Sequence, residues 1–139
     1  MAGYSGTPLP KKLGIKYGYK IALPGIPADV RAALREAIAG CTLEKDGCRV
    51  ALDFVLLFAR ASIELKEQFP FWAGKLAPAG MLWIAWPKKS SGVPSDLDDN
   101  KVRTIGLNAG LVDVKVCAVT DIWSGLKFVI RVKDRPKSG

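Results

Sequence analysis

Short apolar runs alternate with segments of helical pattern along this chain. The runs at residues 19–23, 53–59 and 81–86 are dominated by apolar side chains and predict three strands. The run at 53–59 is apolar throughout after its first residue, which is typical of a strand buried on both faces in a parallel sheet. The pattern therefore predicts an α/β protein whose helices cover both faces of a sheet.

Helical spacing fills the intervals between these strands. Apolar positions recur every three or four residues in 28–39, a segment that Pro27 opens and Gly40 closes. A second helix begins at Ser62 and must kink or restart at Pro70, because proline lacks the N–H that a helix needs. These helices supply the crossovers that parallel strands require.

The last third of the chain predicts one more helix and an antiparallel pair of strands. The helix covers 97–108, and three acidic residues near its positively polarised end suit capping: Asp96, Asp98 and Asp99. The strand at 111–119 alternates, with Val112, Val114 and Val116 on one face and Asp113, Lys115 and Cys117 on the other. A turn at 123–125 leads to a returning strand at 126–132.

The length and the two ends complete the domain plan. The 139 residues predict a single domain spanning the whole chain. Residues 1–18 form an N-terminal arm with a short turn of helix at 8–13, and residues 133–139 form a tail that we expect to fray.

The net charge of +8 comes from the two ends of the chain. Residues 1–28 contain four lysines and no acid, and residues 127–139 contain five basic residues and one acid. Basic ends can attract nucleic acid. The interpretation we favour is two solvated ends that aid solubility.

Several functional classes lack the residues they need. Histidine is absent, which removes the commonest general base and the commonest metal ligand. No apolar run approaches the roughly 20 residues of a membrane span, and the first part of the chain lacks the apolar core of a secretory signal. We therefore expect a cytoplasmic protein with no metal site and no membrane partner.

The cysteines offer little chemistry. Cys41 and Cys48 could approach each other across a turn at 46–47, although a disulfide is unusual in the cytosol. Cys117 is expected to be a small core residue. No activating partner is visible for any of these thiols, so no nucleophile is predicted.

The order of elements resembles the class I S-adenosylmethionine-dependent methyltransferase fold, from about residue 13 to 132. Segments 13–23, 53–58, 76–84 and 110–116 resemble its first, fourth, fifth and sixth strands. The resemblance implies a Rossmann-like three-layer α/β/α domain with a mixed sheet of about five strands and a C-terminal antiparallel hairpin. The second and third strands of the methyltransferase fold are expected to be absent or vestigial, because only one short strand fits between 40 and 53.

Three further segments resemble a bacterial family catalogued as domain of unknown function 3052. They are 4–9 with 11–14, 86–94, and 113–119 with 123–127. The resemblance covers nearly the whole chain and implies no established activity.

The resemblance to methyltransferases breaks down where the cofactor would bind. Methyltransferases have a glycine-rich turn after the first strand, whereas 23–27 has the single glycine Gly25 between two prolines. If S-adenosylmethionine were bound, Pro24 and Gly25 would contact it. The family also places a ribose-binding acid at the end of the second strand, and no register puts Glu44 or Asp46 there. We predict no bound cofactor.

The loop after the third predicted strand is the best candidate binding site. Ligands of open parallel sheets gather beyond the carboxyl ends of the strands, and this loop places two cations and two hydroxyls at that edge. Such groups suit a phosphate or carboxylate, although the lysines precede the glycine and no P-loop is present. The predicted anion-binding residues are Trp86, Lys88, Lys89, Ser90, Ser91 and Gly92, with Lys11 and Lys12 if the arm folds over the same edge. The alternative is a solvated loop.

The aromatic and acidic residues add two expectations. Trp83 and Trp86 lie at odd spacing and must face opposite sides of the sheet, with Trp83 in the core and Trp86 either in the core or offering a stacking face. Trp123 is expected to be structural, and Tyr4 could belong to a folded arm. Asp53 begins its strand at the end away from the expected pocket, so no catalytic residue is predicted.

The sequence therefore predicts a binding domain on a degenerate methyltransferase-like fold, for a small anion, a nucleotide or a protein partner. Two alternatives stay open: a methyltransferase with an atypical cofactor site, and a nucleic-acid-binding protein. A homodimer could form through the edge of the first strand, which the loss of its neighbours would expose.

Overall fold

Six strands form one mixed sheet in the computed structural model, which describes residues 8–45 and 49–135. The strands are β1 (Lys20–Ala22), β2 (Thr42–Leu43), β3 (Leu52–Phe58), β4 (Leu76–Pro87), β5 (Leu111–Ala118) and β6 (Trp123–Ile130). The helices of the same residues are α1 (Leu9–Leu13), α2 (Ala28–Ala33), α3 (Arg35–Ala39), α4 (Ser62–Ala73) and α5 (Asp99–Asn108). Single turns of 3-10 helix lie at Lys89–Ser91 and Val132–Asp134.

The strand order is β2-β1-β3-β4-β6-β5. The first four strands in this order are parallel to one another, and β6 is antiparallel to both β4 and β5. Residues of α1 and α2 pack on one face of the sheet, and residues of α4 and α5 pack on the other. The predicted Rossmann-like α/β class and its C-terminal hairpin are thus confirmed, with six strands instead of five.

The additional strand is β2, which is only two residues long. It pairs in parallel with β1, with Thr42 opposite Lys20 and Leu43 opposite Ile21. Both residues of β2 are exposed, so no apolar pattern marks the strand. One short strand does lie between 40 and 53, as predicted, so the second strand is vestigial rather than absent and β1 is paired on both sides. A homodimer through the edge of β1 would require β2 to be displaced.

The strand β4 begins earlier than predicted. Leu52 of β3 lies opposite Leu76, and Phe54 lies opposite Met81, so β4 has four residues where β3 has one. Residues 78–80, which precede the predicted strand at 81–86, therefore form an irregularity inside β4.

The last hairpin also turns at a different place from the predicted one. Residues 123–125, predicted as a turn, are the first residues of β6 and pair with Pro87, Trp86 and Ala85 of β4. The turn lies instead at 119–122, where the Val119 N–H donates to the Trp123 carbonyl oxygen at 2.9 Å. Both ends of this turn are held by the sheet.

A second irregularity divides β5. Asp113 lies opposite Phe128 and Lys115 lies opposite Lys127, which leaves Val114 without a partner. Since consecutive residues of β6 point to opposite faces, the side chains of Asp113 and Lys115 do so too. The predicted alternation, which put both on one face, was wrong because the extra residue reverses it.

Two helices depart from the predicted pattern. The segment 28–39 divides into α2 and α3 at Leu34, whose N–H donates to both the Val30 and the Arg31 carbonyl oxygens. Pro70 lies inside α4, which continues to Ala73 without restarting.

Two apolar layers enclose the sheet. Trp83 belongs to the layer beneath α1 and α2, and Trp86 belongs to the layer beneath α4 and α5, as their odd spacing predicts. The two side chains are 0% and 5% exposed. The Trp83 indole N–H donates to the Leu13 carbonyl oxygen at 2.8 Å, which fixes the end of α1 on the sheet. No helix of the described residues is long and apolar enough to span a membrane.

Gly106 provides a test of the packing between α5 and the sheet. It lies in the middle of α5, and a Cβ there would overlap the ring of Phe128. Helix propensity favours alanine over glycine by about 1 kcal/mol, but overpacking a core costs about 1–3 kcal/mol. We expect Gly106→Ala to lower the free energy of unfolding by about 2 kcal/mol, measured by urea denaturation.

The matched control is Thr104→Ala, an exposed position of the same helix. This change should leave stability unchanged or raise it by less than about 1 kcal/mol. If Gly106→Ala stabilises the protein as much as the control does, the close approach of α5 to β6 is wrong.

Candidate binding grooves at the carboxyl edge of the sheet

The carboxyl ends of β1, β2, β3 and β4 lie at one edge of the sheet. The segments that follow them are 23–27, 44–45, 59–61 and 88–92, and the hairpin turn at 119–122 joins the same edge. Ligands of Rossmann-like domains bind at this edge, most often at the point where the strand order reverses. The geometry of these segments therefore determines which sites are open.

The cleft between β1 and β3 is closed by backbone contacts. The Phe58 N–H donates to the Pro24 carbonyl oxygen at 3.0 Å, which extends the pairing of the two strands beyond the end of β1. Gly25 has φ +76°, and a Cβ there would lie 3.1 Å from the Phe58 carbonyl oxygen. The turn therefore lies directly against β3.

A groove of about 480 Å³ opens on the other side of this turn, over β1 and β2. Glu44 follows β2 directly, and its N–H donates to the Ile21 carbonyl oxygen at 2.7 Å. The prediction that no register puts Glu44 at the end of the second strand was wrong, because Glu44 directly follows β2. Residues of the turn, β2 and two helices line the groove: Ala22, Leu23, Pro24, Gly25, Arg31, Leu43, Glu44, Lys45, Gln68 and Trp72.

A second groove, of about 460 Å³, lies at the end of β4. It contains three of the predicted anion-site residues, Trp86, Lys88 and Lys89. It also contains acidic, polar and apolar residues that the sequence did not assign to a site: Asp98, Asp99, Asn100, Ser124, Leu97 and Val116. The Asp98 carboxylate accepts from the Lys101 N–H at 2.8 Å and so caps α5, as predicted. We call this space the Trp86 groove.

The remaining predicted residues of the loop lie outside the lining of this groove. The Ser91 hydroxyl donates to the Lys88 carbonyl oxygen at 2.6 Å and accepts from the Val93 N–H at 3.2 Å, so its hydrogen bonds stabilise the loop itself. Ser90 is exposed, and Gly92 has φ +78° at the end of the 3-10 turn.

The arm reaches the same edge on the opposite face of the sheet. The Lys12 ammonium donates to the Ala118 carbonyl oxygen at 2.9 Å, at the end of β5. Lys12 belongs to α1, which packs on the Trp83 face, whereas the Trp86 groove lies on the other. Lys11 is exposed on the same helix. Tyr4 lies outside the described residues.

Aromatic side chains fill the space between the closed turn and the hairpin. The rings of Phe58 and Trp123 meet edge to face at 5.0 Å between centroids, and the Arg60 guanidinium lies 5.2 Å from the Trp123 ring centroid. Trp123 is 3% exposed. This packing agrees with a structural role for Trp123.

Asp96 joins two loops of the edge, which the sequence did not indicate. Its carboxylate accepts from the Ser62 N–H at 2.8 Å and from the Ser62 hydroxyl at 2.7 Å. It therefore caps α4, and not α5 as predicted. In addition, the Ser95 hydroxyl donates to the Arg60 carbonyl oxygen at 2.7 Å. These contacts fasten the segment before α5 to the segment before α4.

The described residues contain few groups suited to catalysis. No three His, Cys, Asp or Glu side chains among them converge as metal ligands would. Asp53 accepts from the Lys20 N–H at 2.9 Å, away from the carboxyl edge. Burial raises the pKa of the Cys41 and Cys117 thiols, which keeps both protonated and unreactive. Cys48 and the predicted turn at 46–47 lie outside the described residues.

Solved methyltransferases share this fold. A magnesium protoporphyrin IX methyltransferase from Synechocystis PCC 6803, with bound SAH, has 12% identity and a TM-score of 0.59 over 87% of this chain and 78% of its own. A precorrin-6y C5,15-methyltransferase from Geobacter metallireducens GS-15 has 11% identity and a TM-score of 0.58 over 88% and 85%. An S-adenosylmethionine-dependent methyltransferase from Clostridium acetobutylicum ATCC 824 has 6% identity and a TM-score of 0.59 over 87% of both chains. At such identities the likeness concerns the fold alone.

The sequence matches a family whose function is not known. The model of the family described as "Protein of unknown function (DUF3052)" matches residues 10–132. No curated protein matches the chain.

The Asp96 contact predicts a pH dependence of stability. The hydrogen bonds from Ser62 hold the pKa of the Asp96 carboxyl below its usual value. Because the pKa is lower in the folded state, the carboxylate stabilises the fold above the unfolded pKa of about 4. That contribution is lost as the pH falls through the lower, folded pKa. We expect Asp96→Ala to lower the melting temperature near neutral pH, with a difference from wild type that narrows towards pH 3.

The matched control is Asp121→Ala in the exposed hairpin turn. Melting temperatures of the three proteins are measured across the acid range. A difference between wild type and Asp96→Ala that stays constant down to the lowest pH would contradict the role given to the carboxylate.

Proposed function

The chain belongs to the DUF3052 family of proteins of unknown function, and on this premise we propose that it binds a nucleotide in the Trp86 groove and does not transfer methyl groups. The observation that carries the proposal is the closed turn after β1 beside an open groove at the end of β4. The fold alone cannot assign an activity, since unrelated functions use the same Rossmann-like layers.

The closed turn argues against a methyltransferase cofactor. In the methyltransferases that the sequence resembles, the glycine-rich turn after the first strand lets the backbone approach the methionine part of the cofactor. In this chain the backbone of the turn is already bonded to β3, because the Phe58 N–H donates to the Pro24 carbonyl oxygen. The two prolines of the turn also have no N–H to offer a carboxylate. The residues present therefore do not fit this part of the cofactor.

The composition of the Trp86 groove favours a nucleotide over a simple anion. Lys88 and Lys89 provide ammonium groups for a phosphate. Asp98 and Asp99 would repel a ligand that is negative throughout, but their carboxylates can accept from the amino group of a base. Trp86 is 5% exposed and lines the groove with the small open part of its side chain, which offers a ring an apolar contact. A ligand with a phosphate, a ring and N–H donors satisfies all three features.

A ligand screen tests this proposal. We expect adenine and guanine nucleotides to raise the melting temperature by several degrees at about one hundred times their dissociation constants. The double variant Lys88→Ala/Lys89→Ala should lose this shift, because it removes both phosphate contacts. The matched control is Lys16→Ala/Lys133→Ala, which removes two exposed lysines outside the groove. No shift with any nucleotide, or an equal shift in both double variants, would refute the proposal.

A second candidate function follows from Glu44. The neighbouring structures include one with bound SAH and one with bound SAM. Glu44 follows β2 and shares a groove with Pro24 and Gly25. Methyltransferases hold the cofactor ribose with an acid at this position, so Glu44 supports the alternative of an atypical S-adenosylmethionine site.

Calorimetry with S-adenosylhomocysteine separates the two functions. Our proposal predicts no heat of binding with the wild-type protein. The second candidate predicts that the compound binds the wild type and that Glu44→Gln weakens this binding about tenfold or more, because a hydrogen bond to a charged group is lost. Glu36→Gln, an exposed acid on α3, is the control and should bind as wild type does. Binding that depends on Glu44 would replace the nucleotide proposal with the second candidate.

A further inference from the structure

Three lysines gather on the face of the hairpin that lies opposite the Trp86 groove. Lys115 of β5 and Lys127 of β6 lie directly opposite each other in register. Lys127 also lies opposite Trp83 of β4, which belongs to the layer beneath α1. Residues opposite each other in a sheet share a face, so both lysines project on the α1 side. Lys12 reaches this face from α1 itself.

Backbone contacts hold these lysines together. The Lys12 ammonium donates to the Ala118 carbonyl oxygen at 2.9 Å, and the Lys115 ammonium donates to the Lys12 carbonyl oxygen at 3.2 Å. Two lysine hydrogen bonds therefore join α1 and β5, one from Lys12 to β5 and one from Lys115 to α1. We call Lys12, Lys115 and Lys127 the lysine cluster.

The irregularity in β5 removes the nearest acid from this face. Because Val114 is unpaired, Asp113 points to the opposite face from Lys115. There its carboxylate pairs with the Arg103 guanidinium at 3.0 Å. The sequence neighbour that could have neutralised Lys115 is thus bound to α5 on the other side of the sheet.

No acid among the described residues forms an ion pair with Lys12, Lys115 or Lys127. Residues 1–28, which include α1, contain no acid at all. Like charges directly opposite each other in a sheet are destabilising. Burial and the charge of Lys115 lower the pKa of Lys127, which indicates that the ammonium lacks full compensation. A bound anion with more than one negative charge would supply that compensation.

We propose that Lys12, Lys115 and Lys127 bind a phosphate group on this face, at a site separate from the Trp86 groove. Lysine ammonium groups bind phosphate as point charges, and three of them around one anion need no further acceptor. The phosphate can belong to a phosphorylated small molecule or to a nucleic-acid backbone, which present the same chemistry to the cluster.

Thermal melting with inorganic pyrophosphate tests the site in the full-length protein. In a low-salt buffer without phosphate, we expect pyrophosphate to raise the melting temperature of the wild type by several degrees. Lys127→Met and Lys115→Met should each weaken the apparent affinity about tenfold or more. Without ligand, Lys127→Met should be at least as stable as the wild type, since it removes a like-charge repulsion. Lys115→Met removes the same repulsion together with the hydrogen bond to the Lys12 carbonyl oxygen, so Lys127→Met is the cleaner variant.

Two control variants show whether binding depends on the lysine cluster or on positive charge elsewhere in the protein. Lys133→Met removes the same charge outside the cluster and should bind pyrophosphate as the wild type does. The measurements are repeated in the Lys88→Ala/Lys89→Ala background, which removes the phosphate contacts proposed for the Trp86 groove and in which the lysine cluster should still bind pyrophosphate. The inference is refuted if pyrophosphate gives no shift, or if its shift survives in Lys127→Met. Loss of binding only in Lys88→Ala/Lys89→Ala would refute it while supporting the Trp86 groove.

A short single-stranded RNA separates the two sources of phosphate. If RNA binds the wild type, loses affinity with Lys127→Met and is displaced by pyrophosphate, the site accepts a nucleic-acid backbone. Its affinity should then fall with salt by about one unit of log–log slope per phosphate contacted. If pyrophosphate binds and RNA does not, the site is specific for a small phosphorylated molecule. Both results support the phosphate site.

Discussion

The parallel pairing of β3 with β4 is the constraint on which the rest of the structure depends. Six of the seven residues of β3 are buried, and β4 is buried from Met81 to its end. A sheet that is apolar on both faces must be covered on both, which is why helices pack on each side. The indole N–H of Trp83 also needs a partner in this layer, and the Leu13 carbonyl oxygen provides it. Leu13 at the end of α1 is therefore part of the core.

The same pairing determines where a ligand can bind. The hydrogen bond from Phe58 to Pro24 continues the sheet past the end of β1, at the edge where ligands of Rossmann-like sheets bind. Open space remains on both sides of this closure, over β2 and at the end of β4. The first space contains Glu44, the acid on which the second candidate function rests. The second contains cations, carboxylates and an indole, and it supports the proposed nucleotide site.

Charges on the two faces of the hairpin are separated by one unpaired residue. Because Val114 is unpaired, Asp113 points towards α5 and Lys115 points towards α1, so their charges cannot neutralise each other. Asp96 also interacts with a distant segment: it directly precedes α5 in the chain, but its carboxylate caps α4. In both cases the partner lies on another element, and spacing along the chain gives no sign of it.

The sequence by itself determined the class and order of the elements. Continuous apolar runs and helical spacing are local properties, so they predicted the parallel sheet, the closing hairpin and the opposite faces of Trp83 and Trp86. The family segments likewise followed from residues that stand together in the chain. The anion-site loop was predicted for the same reason, since Lys88 and Lys89 directly follow a buried strand. Only the tertiary structure decided the features that depend on pairing. The strand β2 has two exposed residues and no apolar pattern, so its existence follows from hydrogen bonds to β1 alone. The irregularities in β4 and β5 change register without changing composition, and a shift of one residue moves a side chain to the other face. The closed turn, the place of Glu44 and the lysine cluster all depend on such register. Register is fixed by contacts between distant segments, and local sequence does not carry it.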